Sequence, residues 1–180
     1  MIDLTSKGLP NVIEINGSLY SIETDFRLWM RFDIEVGKLK AGGQMDVSYL
    51  FVEEMPARLT LNDLMVFARP KRVLPRSTGR HSDAIALDYE LDSDLIVAAF
   101  LGQYGIDLTE VDNLHWHKFL ALLHGLNEQT KLREVMGYRM YEKNSGKTDI
   151  YEELRRAWEI ERMTTEEAAE IQEFSDIFTE

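Results

Sequence analysis

The sequence predicts a mainly α-helical fold of about five to seven helices, with a small β-hairpin near the N-terminus. Three observations lead to this prediction: an Asn-Gly turn between two apolar runs, several stretches with apolar residues three and four positions apart, and Gly or Pro residues between those stretches. The chain has 180 residues, of which 44% are hydrophobic, so it is long and apolar enough to bury a core.

The hairpin is predicted over residues 11–22. Two apolar runs flank Asn16-Gly17, and this pair tolerates the positive φ angles of a two-residue type I′ turn. Because a two-stranded hairpin is only marginally stable alone, we expect one of its faces to rest on helices.

Three helices are predicted in the first half of the chain. The first covers Asp25 to Val36, the second is a short apolar helix from Val47 to Met55, and the third covers Leu61 to Ala68. Thr60 and Asp63 have the spacing of a capping box at the start of the third helix.

In the second half of the chain, the sequence predicts a long helix that begins at Asp83 or near Leu87 and ends at Gln103. Gly105 is its predicted C-terminal stop. A further helix follows, for which Thr109 or Asp112 is a candidate N-cap. Large apolar side chains at helical spacing usually face the core. We therefore expect Tyr104, Trp116 and Phe119 to face the core. One helical stripe consists of Trp116, Phe119, Leu120, Leu123 and Leu126, and the pattern continues into another helix with Leu132, Val135, Met136 and Arg139.

The C-terminal part differs in composition from the rest. After a polar break near Asn144, helices are predicted over Ile150 to Met163 and Thr165 to Phe178, and residues 159–180 hold eight acids against one Arg. We therefore predict a helical core domain over residues 1–143, which includes the hairpin, and a C-terminal helical extension over residues 147–180.

Composition excludes several classes of function. The chain has no Cys, which excludes disulfides, thiolate metal sites and a cysteine nucleophile. Its net charge of −12 disfavours nucleic acid and anionic lipid and favours a protein partner. No run of 18 uncharged apolar residues and no N-terminal signal pattern occurs, so we expect a protein that does not span a membrane and remains in the cytoplasm.

One window, residues 69–82, carries five cations and no acid. It contains Pro70 and Pro75, so we expect a loop. Charge complementarity orients interfaces, and we favour an acidic protein surface as its partner, such as the C-terminal segment of another copy, over the phosphate backbone of nucleic acid. The five cations are Arg69, Lys71, Arg72, Arg76 and Arg80.

Neither histidines nor acids form a recognisable catalytic or metal-binding pattern. His115 and His117 are two positions apart, so on a helix their side chains would point in nearly opposite directions. His124 does not complete an HExxH metal-binding motif with either of them. Phosphate-binding Gly-rich loops and GxSxG are also missing. We expect no enzyme, no cofactor and no metal. The acids Asp83, Asp88, Glu90, Asp92 and Asp94 lack a calcium-loop pattern and are interpreted as a solvated helix face.

Several short motifs over residues 9 to 140 together resemble the phage "gene product fifteen" family of tail-module proteins. The order and approximate spacing of the motifs match the family, except that His117 stands where the family pattern usually has a second Trp. The motifs are Leu9-Pro10, Asp25-Phe26-Arg27, Asp88-Tyr89-Glu90 with Asp92, Phe100 with Tyr104-Gly105-Ile106-Asp107-Leu108, Leu114-His115-Trp116 with Lys118-Phe119, and Met136 with Tyr138-Arg139.

This resemblance implies a tail assembly chaperone of a long-tailed phage or prophage of a Gram-positive bacterium, acting in the host cytoplasm. Such a protein would keep the helical tape-measure protein soluble and help recruit the major tail protein. It would act as a homo-oligomer or beside a second chaperone. The family supplies no catalytic residue.

Our hypothesis for partner binding places client or subunit contacts on the C-terminal helices, because their apolar residues recur at helical spacing beside many acids. Two other classes remain open: a structural connector or tail-completion protein of the virion, and a small acidic regulator that binds a host protein. The residues of the hypothesis are Trp158, Ile171, Phe174, Ile177 and Phe178.

Overall fold

The structure is a computed structural model that describes residues 4–40, 43–69, 85–141 and 150–160. These residues form two antiparallel strands and six α-helices, which confirms the predicted fold class. The elements are β1 (Val12–Ile15), β2 (Ser18–Ser21), α1 (Phe26–Lys38), α2 (Leu61–Ala68), α3 (Ser93–Tyr104), α4 (Trp116–His124), α5 (Lys131–Arg139) and α6 (Ile150–Trp158).

The described residues fall into two compact units. The first contains residues 4–40, 43–69 and 87–134, and the second contains residues 85–86, 135–141 and 150–160. Each unit is treated by itself below. The sequence-based division into 1–143 and 147–180 stays a prediction.

The predicted hairpin and its turn are confirmed. Asn16 and Gly17 have φ angles of 52° and 81°, as a type I′ turn requires. The strands pair Ile13 with Tyr20 and Ile15 with Ser18, and both isoleucines are buried. One face of the hairpin therefore belongs to the core, as expected.

The predicted helix from Val47 to Met55 is wrong. Only a single 3-10 turn forms there, over Ser48–Leu50, and the Asp46 carboxylate accepts a hydrogen bond from the backbone N–H of Ser48. The chain then extends and Phe51 pairs with Ile22 beside β2. Pairing with the hairpin thus replaces further helical hydrogen bonds in this apolar run.

Side-chain caps begin the first two helices, and the capping box predicted for α2 is confirmed. The Asp25 carboxylate caps α1 by accepting from the backbone N–H of Arg27 at 2.9 Å. Thr60 and Asp63 form both hydrogen bonds of a capping box at the start of α2. These caps fix where each helix begins.

The long helix predicted to begin at Asp83 or Leu87 is shorter at its N-terminus, because α3 begins at Ser93. The Asp88 carboxylate accepts from the backbone N–H groups of Glu90 and Leu91, and this local turn competes with a helix. Gly105, with a φ of 64°, ends α3 as predicted.

Phe119 of α4 lies at the centre of the core of the first unit. Its ring stacks on Phe26 of α1 at 5.0 Å, on Phe100 of α3 at 5.2 Å and on Trp116 at 5.6 Å between centroids. The predicted apolar stripe of α4 is buried in full. This cluster joins three helices and holds α3 and α4 side by side.

Candidate interaction surfaces

The start of α4 is built from side-chain hydrogen bonds. His115 is the N-cap: its Nδ1 accepts from the backbone N–H of His117 at 3.1 Å, and its Nε2 donates to the carbonyl of Pro10 at 2.8 Å. The predicted caps Thr109 and Asp112 are therefore wrong. Burial lowers the pKa of His115, which keeps its Nδ1 free to accept.

The next two side chains bind the end of α2. Trp116 donates from Nε1 to the carbonyl of Ala68 at 2.8 Å, and His117 donates from Nε2 to the carbonyl of Phe67 at 2.9 Å. A helix leaves its last carbonyls without internal partners, so these donors satisfy them. Burial lowers the pKa of His117 to about 4, and the ring is neutral near pH 7. The His-Trp-His motif thus connects two helices.

The described residues contain no group of three or more His, Cys, Asp or Glu side chains that could hold a metal. Asp92, interpreted from sequence as part of a solvated face, is instead buried and accepts from the backbone N–H of Asp88. Glu90 forms an exposed ion pair with Lys38 at 2.6 Å. These acids mostly build the turn that precedes α3, and Asp83 lies outside the described residues.

Of the five cations in the basic window, Arg69 alone lies in the described part of the chain. It follows α2 directly, where its backbone N–H caps the carbonyl of Met65. Burial raises the pKa of Asp33 on α1, and the charge of Arg69 opposes this rise. Lys71, Arg72, Arg76 and Arg80 lie outside the described residues.

Helix α6, in the second unit, has one apolar face and no buried residue. Ile150, at 66% exposure, begins this face, and Trp158 ends it half-buried. The opposite face carries ion pairs with the i,i+4 spacing, Arg156 with Glu152 and Arg155 with Glu159. The apolar face of α6 is formed by Ile150, Tyr151, Leu154, Ala157 and Trp158.

Ring contacts and a hydrogen bond hold α6 within its unit. The ring of Tyr151 lies 6.3 Å from that of Tyr138 and 5.4 Å from that of Tyr141. Arg139 donates from Nε to the carbonyl of Trp158 at 2.7 Å and from Nη1 to that of Ala86 at 3.3 Å. Trp158 is thus fixed by its backbone. The other predicted partner-binding residues, Ile171, Phe174, Ile177 and Phe178, lie outside the described residues.

A second exposed apolar surface, on α3, was missed by sequence reasoning, which assigned no role to its apolar residues. Leu91, in the turn before the helix, is 68% exposed, and Leu101 is 50% exposed. The signal was present, because no charged residue occurs from Leu95 to Tyr104. We call this surface the α3 outer face; it consists of Leu91, Asp94, Leu95, Ala98, Leu101 and Gly102.

A groove of about 430 Å³ runs beside the α3 outer face, between α3 and the loop that leads into α5. Gln103 fixes this loop by donating to the carbonyl of Gly125 at 3.0 Å and accepting from the backbone N–H of Asn127 at 2.8 Å. The α3 side of the groove is mostly apolar, and its other side is polar. It is lined by Leu95, Ala98, Ala99, Gly102, Gln103, Asn127, Gln129, Thr130 and Lys131.

Comparison with known proteins identifies a family. Residues 47–162, more than half of the chain, match the family described as Bacteriophage Gp15 protein. The chain belongs to this family. Membership confirms the resemblance and indicates a phage protein with a structural or assembly-related role. No curated protein and no solved structure matches the chain significantly.

The matched range of this Gp15-family chain includes α2 to α6, and therefore both the α6 apolar face and the α3 outer face. The hairpin and α1 precede it. None of the helices in the described ranges has the length and apolar content that a bilayer crossing requires.

Proposed function

We propose that this Gp15-family chain is a non-catalytic tail assembly chaperone that binds the tape-measure protein and assists assembly of the tail tube. The observation that carries the proposal is the apolar face of α6, a helix without a single buried residue. A helix with such a face commonly binds an apolar stripe on a partner helix.

The chemistry of α6 suits a long helical client. Its apolar side chains offer contact area, since Ile150 and Tyr151 are exposed, while the opposite face carries the ion pairs between Arg156 and Glu152 and between Arg155 and Glu159. The net charge of −12 would keep a chaperone–client complex from aggregating. A client that aggregates by itself would gain solubility from such a partner.

The proposed client contacts continue from the α6 face along the acidic C-terminal segment. They include Trp158 together with Ile171, Phe174, Ile177 and Phe178. The basic window of Arg69, Lys71, Arg72, Arg76 and Arg80 is proposed to bind an acidic protein surface. In this proposal the protein works in the host cytoplasm, as a homo-oligomer or with a second chaperone, and needs no cofactor or metal.

Co-expression with the tape-measure protein of the same gene cluster tests this function. We expect size-exclusion chromatography with light scattering to give one soluble shared peak, with the tape-measure protein insoluble when expressed alone. Separate peaks and no gain in solubility would contradict the proposal. Recovery of the protein in purified particles would indicate a connector, and capture of a host DNA-binding protein would indicate a regulator.

Two matched variants of α6 locate the contact. Ile150→Ser alters the apolar face, whereas Glu153→Ser alters an exposed position on the charged side of the same helix. We expect the shared peak to be lost or reduced with Ile150→Ser and kept with Glu153→Ser. Equal effects of the two variants would contradict a contact through the apolar face.

A further inference from the structure

The apolar face of α6 has one covered edge and one open edge. On the covered edge, Tyr151 lies against two tyrosine rings at and just after the end of α5. On the other edge, three apolar residues follow one another at spacings of four and three, which brings them to one side of the helix, and none of them is buried. An apolar helix face normally packs on a neighbour. We call these residues the open edge of α6: Ile150, Leu154 and Ala157.

The chain that follows α6 starts beside this edge. Helix α6 ends at Trp158, and the described residues end at residue 160. The sequence predicts the next helix over Thr165 to Phe178, so residues 159–164 connect the two. Because a connection this short joins helices that lie antiparallel and side by side, the predicted helix is the nearest candidate to cover the open edge.

The apolar residues of the predicted helix match the open edge in spacing. Ile171, Phe174 and Phe178 are three and four positions apart, so they form one stripe on a helix. Since all α-helices rise by the same distance per residue, residues that face each other in an antiparallel pair lie equally far in sequence from the middle of the turn. With Thr164 as the middle, both sets of residues lie seven, ten and fourteen positions away. The facing pairs are Ala157 with Ile171, Leu154 with Phe174, and Ile150 with Phe178.

We propose that in the free chain the segment from Thr165 to Phe178 folds back on α6 as an antiparallel helix and covers the open edge with this stripe. The small side chain of Ala157 lies nearest the turn and lets the two helices approach closely there. Glu173 and Asp176 lie on the opposite side of the segment, where water solvates them. Burial of the three apolar pairs stabilises the contact, and the short connection supplies the segment at a high local concentration.

The contact regulates the same face that binds the client, and in this respect it rests on the proposed function. The segment and a client helix compete for the open edge of α6, so the client must displace the segment. Displacement frees the stripe of Ile171, Phe174 and Phe178 to contact the client as well. The free chain thus keeps both apolar surfaces covered until a client arrives, which limits its own aggregation.

Disulfide trapping in the full chain tests the contact, because the chain has no Cys of its own. The test variant carries Ala157→Cys and Ile171→Cys, which form a facing pair. The control carries Ala157→Cys and Gln172→Cys, which keeps almost the same length of connecting chain but moves the second thiol to another side of the segment helix. Both variants are equilibrated in a glutathione redox buffer, and mass spectrometry without reductant measures the disulfide within one chain.

We expect the effective concentration of the two thiols to be about tenfold or more higher in the test variant than in the control, because only the facing pair is held at disulfide distance. Equal effective concentrations would overturn the proposal, since a segment without a preferred side gives both pairs the same chance. A disulfide that links two chains would also overturn it, because a second copy would then cover α6. Ala157 is exposed, and circular dichroism of the reduced variants checks that the fold is kept.

The test variant also separates this proposal from the proposed function. Tape-measure protein is diluted from denaturant into the oxidised or the reduced variant, and the soluble fraction is measured. We expect the reduced form to keep the client soluble and the oxidised form to fail, because its disulfide holds the open edge covered. Equal solubility with the two forms would overturn the competition. If the disulfide forms selectively but neither form nor the wild type keeps the client soluble, the proposed function fails, while the contact between the segment and α6 is supported.

Discussion

Helices α3 and α4 lie side by side and are both rich in apolar residues, but they differ in how many of these residues are buried. All the apolar positions of the α4 stripe are buried, and the helix begins with three side chains that bind backbone groups of other segments. Helix α3 buries Ile96, Ala99 and Phe100 and leaves Leu101 and Ala98 exposed.

The comparison teaches that apolar periodicity alone does not identify the core. The stripe of α4 is narrow, and polar residues such as Lys118 occupy its outer side. In α3 the apolar residues exceed what one face of a helix can bury, and the excess forms an exposed surface. An uncharged run on every face of a surface helix is therefore the signal to examine for an interface.

The largest expected change in stability concerns helix α4. Trp116→Ala removes a buried ring that stacks on Phe119 and donates to the carbonyl of Ala68, and we expect a loss of about 3–5 kcal/mol in the free energy of unfolding. Urea denaturation followed by circular dichroism measures it. A loss below about 1 kcal/mol would show that this tryptophan does not hold α4 to α2.

The second prediction concerns pH. His117 has a pKa of about 4 in the fold against 6.5 for a free imidazole, so folding favours the neutral ring. The contribution of the neutral His117 ring to the free energy of unfolding is complete above pH 6.5 and is lost as the pH falls towards 4. Between pH 7 and pH 4 we expect the wild type to lose about 3 kcal/mol more than His117→Gln, which keeps an N–H donor but does not titrate.

Urea denaturation at both pH values gives this difference. Comparison of the wild type with His117→Gln isolates the effect of His117, because every other titrating group, including Asp33, is present in both proteins. The contributions of those groups to the pH dependence therefore cancel. An equal pH dependence in the two proteins would contradict a buried, neutral His117.

A smaller effect is expected where the two helices meet. Tyr104 of α3 donates its hydroxyl to the carbonyl of Leu122 on α4 at 2.8 Å. Tyr104→Phe removes only this hydrogen bond, so we expect a loss of about 1 kcal/mol in the free energy of unfolding. A shift of the urea midpoint measures the loss. An unchanged midpoint would show that the hydrogen bond does not help to join α3 to α4.

The smallest effect on stability is expected on the α3 outer face. Leu101→Ser should change the free energy of unfolding by about 0.5 kcal/mol, mainly through helix propensity, because Leu101 is half exposed. A loss above about 2 kcal/mol would mean that Leu101 belongs to the core of a single copy. The contrast between α3 and α4 would then disappear.

Local signals with a direct physical mechanism predicted most of the fold. Asn16-Gly17 specified the hairpin, the Thr60 and Asp63 spacing specified the start of α2, and Gly105 specified the end of α3. The α4 stripe was predicted in full. In each case the residues that decide the structure are neighbours in sequence.

Features that depend on distant partners could not be predicted. The apolar run from Val47 to Met55 is compatible with either a helix or a strand. It is extended at Phe51 because Phe51 pairs with Ile22. His115 became the cap of α4 while its ring also binds the carbonyl of Pro10. The α3 outer face was missed for a different reason, since exposure depends on which side of the helix the rest of the chain covers.

Nuclear magnetic resonance of the full chain in the presence of a soluble paramagnetic compound tests the contrast between the two helices most directly. We predict that the compound broadens the methyl signals of Ala98 and Leu101 on α3, which are exposed, while the methyl signals of Leu120 and Leu123 on α4, which are buried, stay sharp. Equal broadening of the two sets, or sharp signals from Ala98 and Leu101, would contradict the account.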